Sequence, residues 1–93
     1  MAAQGTPIEQ AMNVGPVVSE ELRSLGIETL EQLRNLGWER AVTQWMFAYP
    51  RRLHPVAAYA LIGAVQGCNI TRVSPDHRQA AKALIKRLKL ESR

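Results

Sequence analysis

The chain has 93 residues, with 12 Lys and Arg against 8 Asp and Glu, two His and one Cys. This length supports one domain with a single core, and 46% hydrophobic and 22% charged residues are typical of a folded globular protein. The single cysteine excludes an internal disulfide and a zinc site built from several cysteines, and it suits the reducing cytoplasm, where we expect the protein. A formal charge of +4 permits an anionic partner without establishing one.

Neither a signal peptide nor a membrane span is expected. The first residues lack the basic start and long apolar run of a secretory signal. The longest uncharged interval lies between Arg52 and Arg72, and its purely apolar part covers only residues 55–65. That part is shorter than the ~20 residues that a bilayer requires, so it predicts a buried helix and no membrane association.

Apolar residues recur with helical spacing along the whole chain and predict five helices with short connections. The expected helices cover residues 16–25, 30–36, 38–49, 55–66 and 75–90, with a further turn around residues 8–12. We assign residues 1–12 to an N-terminal arm, residues 13–90 to one helical domain and residues 91–93 to a tail. The predicted fold is therefore all-α, a compact bundle of about five short helices.

Turn and cap residues support these helix ends. Pro16 suits a first helical turn, and Gly26 suits a left-handed C-terminal cap. Thr29 and Gln32 form a capping-box pattern at the start of the second helix. Ser74 is the expected N-cap of the last helix.

The predicted helix at residues 55–66 carries no formal charge and is apolar on all sides, so we expect neighbours to cover it from several directions. Gly63 in its interior costs about 1 kcal/mol relative to alanine. The expected compensation is the close approach of another helix at this position.

The first two predicted helices look like a helix-hairpin-helix motif. A turn at Val14, Gly15 and Pro16 leads into a helix that ends at Gly26, and a capped helix follows. In such a motif the hairpin glycine lets the backbone approach phosphate, and free amides of the following helix face the anion. Here two glutamates follow the turn and repel phosphate, so we favour a packing and turn role over a phosphate grip.

The chain resembles the C-terminal domain of the TfoX/Sxy family, bacterial regulators of natural competence. The motifs that carry the resemblance lie within residues 13–88: Asn13-Val14-Gly15-Pro16, Leu25-Gly26-Ile27, Thr29-Leu30-Glu31-Gln32-Leu33, Leu36-Gly37 and Tyr59-Ala60-Leu61-Ile62-Gly63-Ala64-Val65-Gln66-Gly67. The resemblance implies a helical hairpin-containing domain that takes part in transcriptional activation of DNA-uptake genes, with no enzymatic activity. Full-length regulators of this family carry a separate N-terminal domain, for which this chain has no room, so such a domain or a transcription factor is an expected partner.

Positive charge is concentrated at the end of the chain. Residues 1–50 hold three basic and six acidic residues, whereas residues 72–93 hold seven basic and two acidic ones. Five of these basic residues fall within a sector of about 80° on the last helix, beside its apolar side. We call this set the basic stripe: Arg78, Lys82, Lys86, Lys89 and Arg93.

If duplex DNA is bound, we expect the basic stripe to contact its phosphates. Three further residues extend the predicted contact surface: Arg51, Arg52 and Arg72. No set of Asn or Gln suited to reading bases accompanies the stripe, so the predicted contacts are weak and not specific for sequence.

Two other interpretations of the basic stripe stay open: a solvated surface, or a docking face for a partner protein without DNA. The third predicted helix is crowded with aromatic residues, and Trp38, Trp45 and Tyr49 form a candidate partner patch if they are exposed. Aromatic residues at helical spacing are more often part of the core. A homo-oligomer is compatible with either role.

No catalytic or cofactor-binding set is present in the sequence. His54 and His77 stand alone, without the spacing of metal ligands, and Cys68 suits a small, half-buried apolar position. No glycine-rich phosphate loop occurs. The sequence therefore predicts a non-enzymatic bacterial regulatory domain without cofactor or metal, and the alternative is a protein-interaction adaptor that does not bind DNA.

Overall fold

The computed structural model describes residues 5–91, which form five α-helices and three short 3-10 turns without a β-strand. The helices are α1 (Pro16–Ser24), α2 (Leu30–Leu36), α3 (Trp38–Ala48), α4 (Pro55–Gln66) and α5 (Pro75–Glu91). The 3-10 turns cover Ile8–Gln10, Pro50–Arg52 and Ile70–Arg72. The all-α prediction is confirmed, and each helix boundary lies within one residue of its predicted position.

Helix α1 ends in a Schellman motif at Gly26. This glycine has a φ of +87°, its amide donates to the carbonyl of Arg23 at 2.9 Å, and the amide of Ile27 donates to the carbonyl of Leu22 at 3.0 Å. The left-handed conformation costs glycine little because it has no Cβ. The predicted C-terminal cap is confirmed, and it turns the chain directly into α2.

The other predicted caps are formed as well. Thr29 accepts a hydrogen bond from the amide of Gln32, whose side chain accepts from the amide of Thr29, so the capping box is complete. Ser74 accepts from the amide of His77 at 3.2 Å at the start of α5. These bonds satisfy amides that have no partner inside a helix.

Helix α4 is the centre of the molecule, packed against α2, α3, α5 and the turn Ile70–Arg72. Its residues Leu61, Ile62 and Ala64 have no solvent exposure. This confirms the expectation that neighbours cover an uncharged helix on several sides. None of the helices within residues 5–91 combines the length and the hydropathy needed to cross a bilayer.

The close contact at Gly63 comes from Asn13 and a backbone carbonyl, so the prediction that another helix approaches here is wrong. A Cβ at Gly63 would lie 2.6 Å from the carbonyl oxygen of Cys68 and closer still to Nδ2 of Asn13. The side chain of Asn13 donates to the carbonyls of Ala60 at 3.3 Å and Cys68 at 3.1 Å, and it accepts from the amide of Ile70 at 3.1 Å. Glycine leaves the space that this amide group needs.

Residues 5–12, the described part of the predicted N-terminal arm, pack onto the α1–α2 connection. Ile8 is completely buried, and its amide donates to the carbonyl of Glu28 at 3.0 Å. The amide of Leu30 donates to the carbonyl of Thr6 at 2.8 Å. The segment therefore contributes to the core beside the hairpin.

Candidate nucleic-acid interface and partner surface

The middle of the basic stripe lies on the solvent side of α5. Lys82, Lys86 and Lys89 are exposed, while Leu84 and Ile85 on the other side of the helix are buried. Within residues 5–91, Lys82 and Lys86 form no ion pair with a carboxylate. Lys82 and Lys86 therefore present positive charge that no carboxylate in residues 5–91 neutralises. Arg93 lies outside the described residues.

Arg78, at the start of the stripe, is used inside the fold. Its guanidinium donates to the carbonyls of Val73 at 3.0 Å, Thr71 at 3.1 Å and Ile70 at 3.4 Å, and its Cζ lies 5.3 Å from the ring centroid of Tyr59. Arg78 thus attaches the loop before α5 to α4 and α5. The neighbouring candidate Arg72 is exposed on the same loop.

Arg51 and Arg52 both bind the carboxylate of Glu21. Arg52 donates from Nε to Oε1 at 2.9 Å and from Nη2 to Oε2 at 3.0 Å, and Arg51 donates to Oε2 at 2.5 Å. Trp45 donates to Oε1 at 2.7 Å. These four bonds join α1 to α3 and to the turn Pro50–Arg52. The Arg52 side chain is 26% exposed and that of Arg51 is 66% exposed, so Arg51 is the more accessible of the two.

The carboxylate of Glu21 is held in its charged form. The hydrogen bonds from Arg52 lower its pKa most, those from Trp45 and Arg51 add to the effect, and together they outweigh burial, which raises it; the pKa falls from 4.5 to about 2. This cluster was not predicted from the sequence. A signal was present, because Glu21 falls between Val18 and Leu25 at the spacing of the predicted apolar face of α1.

The predicted turn residues of the hairpin occupy the two ends of α1. Val14 is 7% exposed, Gly15 is the N-cap of α1 and Pro16 is its first residue, while Gly26 caps the other end. A Cβ at Gly15 would meet nothing within 4 Å. The observed role of these residues is to start and stop α1.

A family model for the TfoX C-terminal domain matches residues 5–85. The chain belongs to the TfoX C-terminal domain family. The resemblance noted in the sequence is thereby confirmed. A crystal structure of an uncharacterized protein from Listeria monocytogenes, in a triclinic form, is similar to this chain with a TM-score of 0.83 and 24% identity, over 90% of this chain and 94% of that one. At this identity the likeness shows the fold alone. No curated protein gives a significant sequence match.

The aromatic residues of α3 in this TfoX C-terminal domain have different surroundings. Trp45 is 1% exposed and belongs to the core, whereas Trp38 and Tyr49 are half-buried. The hydroxyl of Tyr49 lies 2.8 Å from that of Ser24. Phe47 is 69% exposed, so it is the aromatic residue of α3 that faces solvent.

Phe47 stands beside an apolar groove between α3 and α5. The groove has a volume of about 70 Å³. Its lining residues are Thr43, Met46, Phe47, Pro50, Leu53, Leu88 and Glu91. Of the aromatic residues in this TfoX C-terminal domain, Phe47 is the most exposed to solvent.

The histidines of this TfoX C-terminal domain form hydrogen bonds near the first residues of α4 and α5. Nδ1 of His54 accepts from the amide of Val56 at 3.2 Å, and His77 hydrogen-bonds Ser74 at 2.8 Å and Gln66 at 3.1 Å. No group of three His, Cys, Asp or Glu with the geometry of a metal site occurs in residues 5–91. Cys68 is half-buried.

Proposed function

We propose that this TfoX C-terminal domain is a non-enzymatic bacterial regulatory domain that assists transcription of DNA-uptake genes in the cytoplasm and binds duplex DNA weakly through α5. The observation that carries the proposal is the exposed pair Lys82 and Lys86, one turn apart and without a carboxylate partner in residues 5–91. Family membership supports the regulatory role.

The side chains available on α5 favour phosphate contacts over base contacts. Lysine ammonium groups bind the phosphate backbone as point charges and read no sequence. Because Arg52 and Arg78 are bound within the fold, we assign the central contacts to Lys82 and Lys86, with Lys89 continuing the face. Arg72 and the exposed part of Arg51 extend the surface at its edges.

Fluorescence anisotropy with a labelled duplex, at several salt concentrations, tests the proposal. Each phosphate contact contributes about 0.9 to the slope of log affinity against log salt. We expect Lys82→Glu with Lys86→Glu to weaken binding to every sequence and to reduce this slope by about 2.

Arg23→Glu is the matched control for Lys86→Glu, because Arg23 is also exposed, lies on α1 and not on α5, and gives the same change in charge. We expect a smaller loss for Arg23→Glu, since its charge acts only through the overall field. Equal losses from both variants would contradict a contact at α5.

The alternative is an adaptor that docks on a transcription factor or on a separate TfoX N-terminal-type domain. The observation that favours it is Phe47, which is 69% exposed beside an apolar groove. The absence of DNA binding even at low salt would overturn the DNA proposal and support the adaptor.

A further inference from the structure

We propose that the furrow between α3 and α5 is a self-association surface that receives a second copy of this chain. The furrow consists of the apolar groove beside Phe47 and a neighbouring polar hollow, and Thr43 lines both. The other residues of the polar hollow are Glu39, Arg40, Gln44 and Arg87. This surface is distinct from the one proposed for DNA.

The apolar end of the furrow supplies an anchor and a place to receive it. Phe47 is 69% exposed, while Met46 and Leu88 in the groove are 3% and 7% exposed. An exposed aromatic ring beside an apolar concavity is typical of interface anchors. In a two-fold contact the same surface serves on both copies, so each Phe47 enters the groove of the other copy.

The charged residues around the furrow favour a second copy of the chain as its binding partner. The furrow carries two acids, Glu39 and Glu91, and two bases, Arg40 and Arg87. None of them forms an ion pair within residues 5–91. A balanced rim gives little attraction to DNA or to an acidic peptide, but it is complementary to itself.

Arg87 and Glu91 lie one turn apart on the same side of α5, so they are well placed for reciprocal pairing. A two-fold axis that passes between these positions brings Arg87 of each copy next to Glu91 of the other. Arg87 and Glu91 also lie on the opposite flank of α5 from Lys82 and Lys86, at about 100° per residue. Self-association therefore leaves the DNA-binding proposal unaffected, and either proposal can fail alone.

Sedimentation equilibrium of the full chain from micromolar to millimolar concentration tests the inference. We expect a concentration-dependent monomer–dimer equilibrium that Phe47→Glu weakens by about tenfold or more. Val56→Glu is the matched control, because Val56 is 51% exposed on α4 and does not line the furrow. It should leave the dissociation constant unchanged.

Exchanging the charges of Arg87 and Glu91 distinguishes loss of the ion pair between copies from unfolding of the variant. Arg87→Glu and Glu91→Arg should each weaken the dimer, and the two together should restore the dissociation constant to within about twofold because the pair is rebuilt with reversed signs. Circular dichroism melts verify that each variant is folded. A monomer over the whole concentration range, or a Phe47→Glu variant that associates like the parent, would overturn the inference.

Discussion

The indole Nε1–H of Trp45 donates a hydrogen bond to Oε1 of Glu21 at 2.7 Å, between α1 and α3. Both residues are buried, at 1% and 4% exposure. The remaining acceptor positions of this carboxylate are filled by Arg51 and Arg52 from the turn Pro50–Arg52. A charged group placed in the core thus fixes α1 to α3, and it binds two of the arginines that the sequence places at the edge of the DNA-contact surface.

Replacement of Glu21 by Gln should destabilise the domain strongly. The variant keeps the shape of the side chain but leaves two guanidinium groups without their counter-charge, which we expect to cost about 2–4 kcal/mol of the free energy of unfolding. Urea unfolding at neutral pH measures this change. Glu20→Gln is the control, because Glu20 is exposed and should change stability by less than about 0.5 kcal/mol. Similar losses from both variants would contradict the role of the Glu21 cluster.

Acid should remove the contribution of Glu21 in a defined range of pH. The pKa of Glu21 is about 2 in the folded chain against an ordinary value of 4.5, so between these values the unfolded chain binds more protons. The stabilisation is complete above the ordinary pKa and decreases as pH falls toward 2. We expect about 2 kcal/mol, since solvent around Arg51 screens part of the attraction.

Urea unfolding between pH 7 and pH 2.5, on the parent and on Glu21→Gln, measures this contribution. The difference in stability between the two proteins should shrink as the pH falls. A difference that stays constant would show that the Glu21 carboxylate does not titrate with the lowered pKa.

Arg78 and Lys86 should respond to mutation in opposite ways although both belong to the basic stripe. Arg78→Gln removes the donor of three carbonyls and should lower the free energy of unfolding by about 1–3 kcal/mol. Lys86→Gln should leave stability within about 0.5 kcal/mol but reduce the salt slope of DNA binding by about 0.9. Urea unfolding and anisotropy on both variants check this. An Arg78→Gln variant that loses as much salt slope as Lys86→Gln would place Arg78 on the DNA.

Gly63→Ala should destabilise the domain even though alanine favours a helix. The new Cβ would lie 2.6 Å from the carbonyl oxygen of Cys68 and against the side chain of Asn13. We expect a cost of about 1–3 kcal/mol from overpacking. Gly15→Ala is the control, because a Cβ there meets no atom within 4 Å, and it should cost less than about 1 kcal/mol as a weaker N-cap. Urea midpoints compare the two variants, and a more stable Gly63→Ala variant would contradict the close contact of Asn13 and the Cys68 carbonyl at Gly63.

The connection between α1 and α2 shows which features can be predicted from neighbouring residues in the sequence. The capping box at Thr29 and the left-handed cap at Gly26 depend on residues within a few positions of each other, so their sequence pattern predicted them correctly. The close contact at Gly63 depends on Asn13, 50 positions away in the sequence. No residue near Gly63 indicates that the space beside this glycine is filled by a side-chain amide rather than by a helix.

The residues of the candidate site also fall into two groups: those whose position the sequence predicts and those whose position depends on tertiary packing. The outward position of Lys82 and Lys86 follows from the amphipathic pattern of α5, because the apolar side of a helix turns to the core whatever its neighbours are. The use of Arg52 within the fold could not be predicted, because its acceptor Glu21 lies on α1 and only the packing brings the two within 2.9 Å. The carbonyls that bind Arg78 lie in the loop directly before α5, but the spacing of apolar residues does not predict the path of that loop.

The sequence by itself determined the helices, their ends and the concentration of positive charge on the last of them, since all three depend on the spacing of nearby residues. Only the tertiary structure decided which aromatic residue of α3 is buried. Trp45 and Phe47 are two positions apart and therefore point to different sides of the helix. The rotation of α3 against α1 and α4 places Trp45 on the carboxylate of Glu21 and leaves Phe47 in solvent.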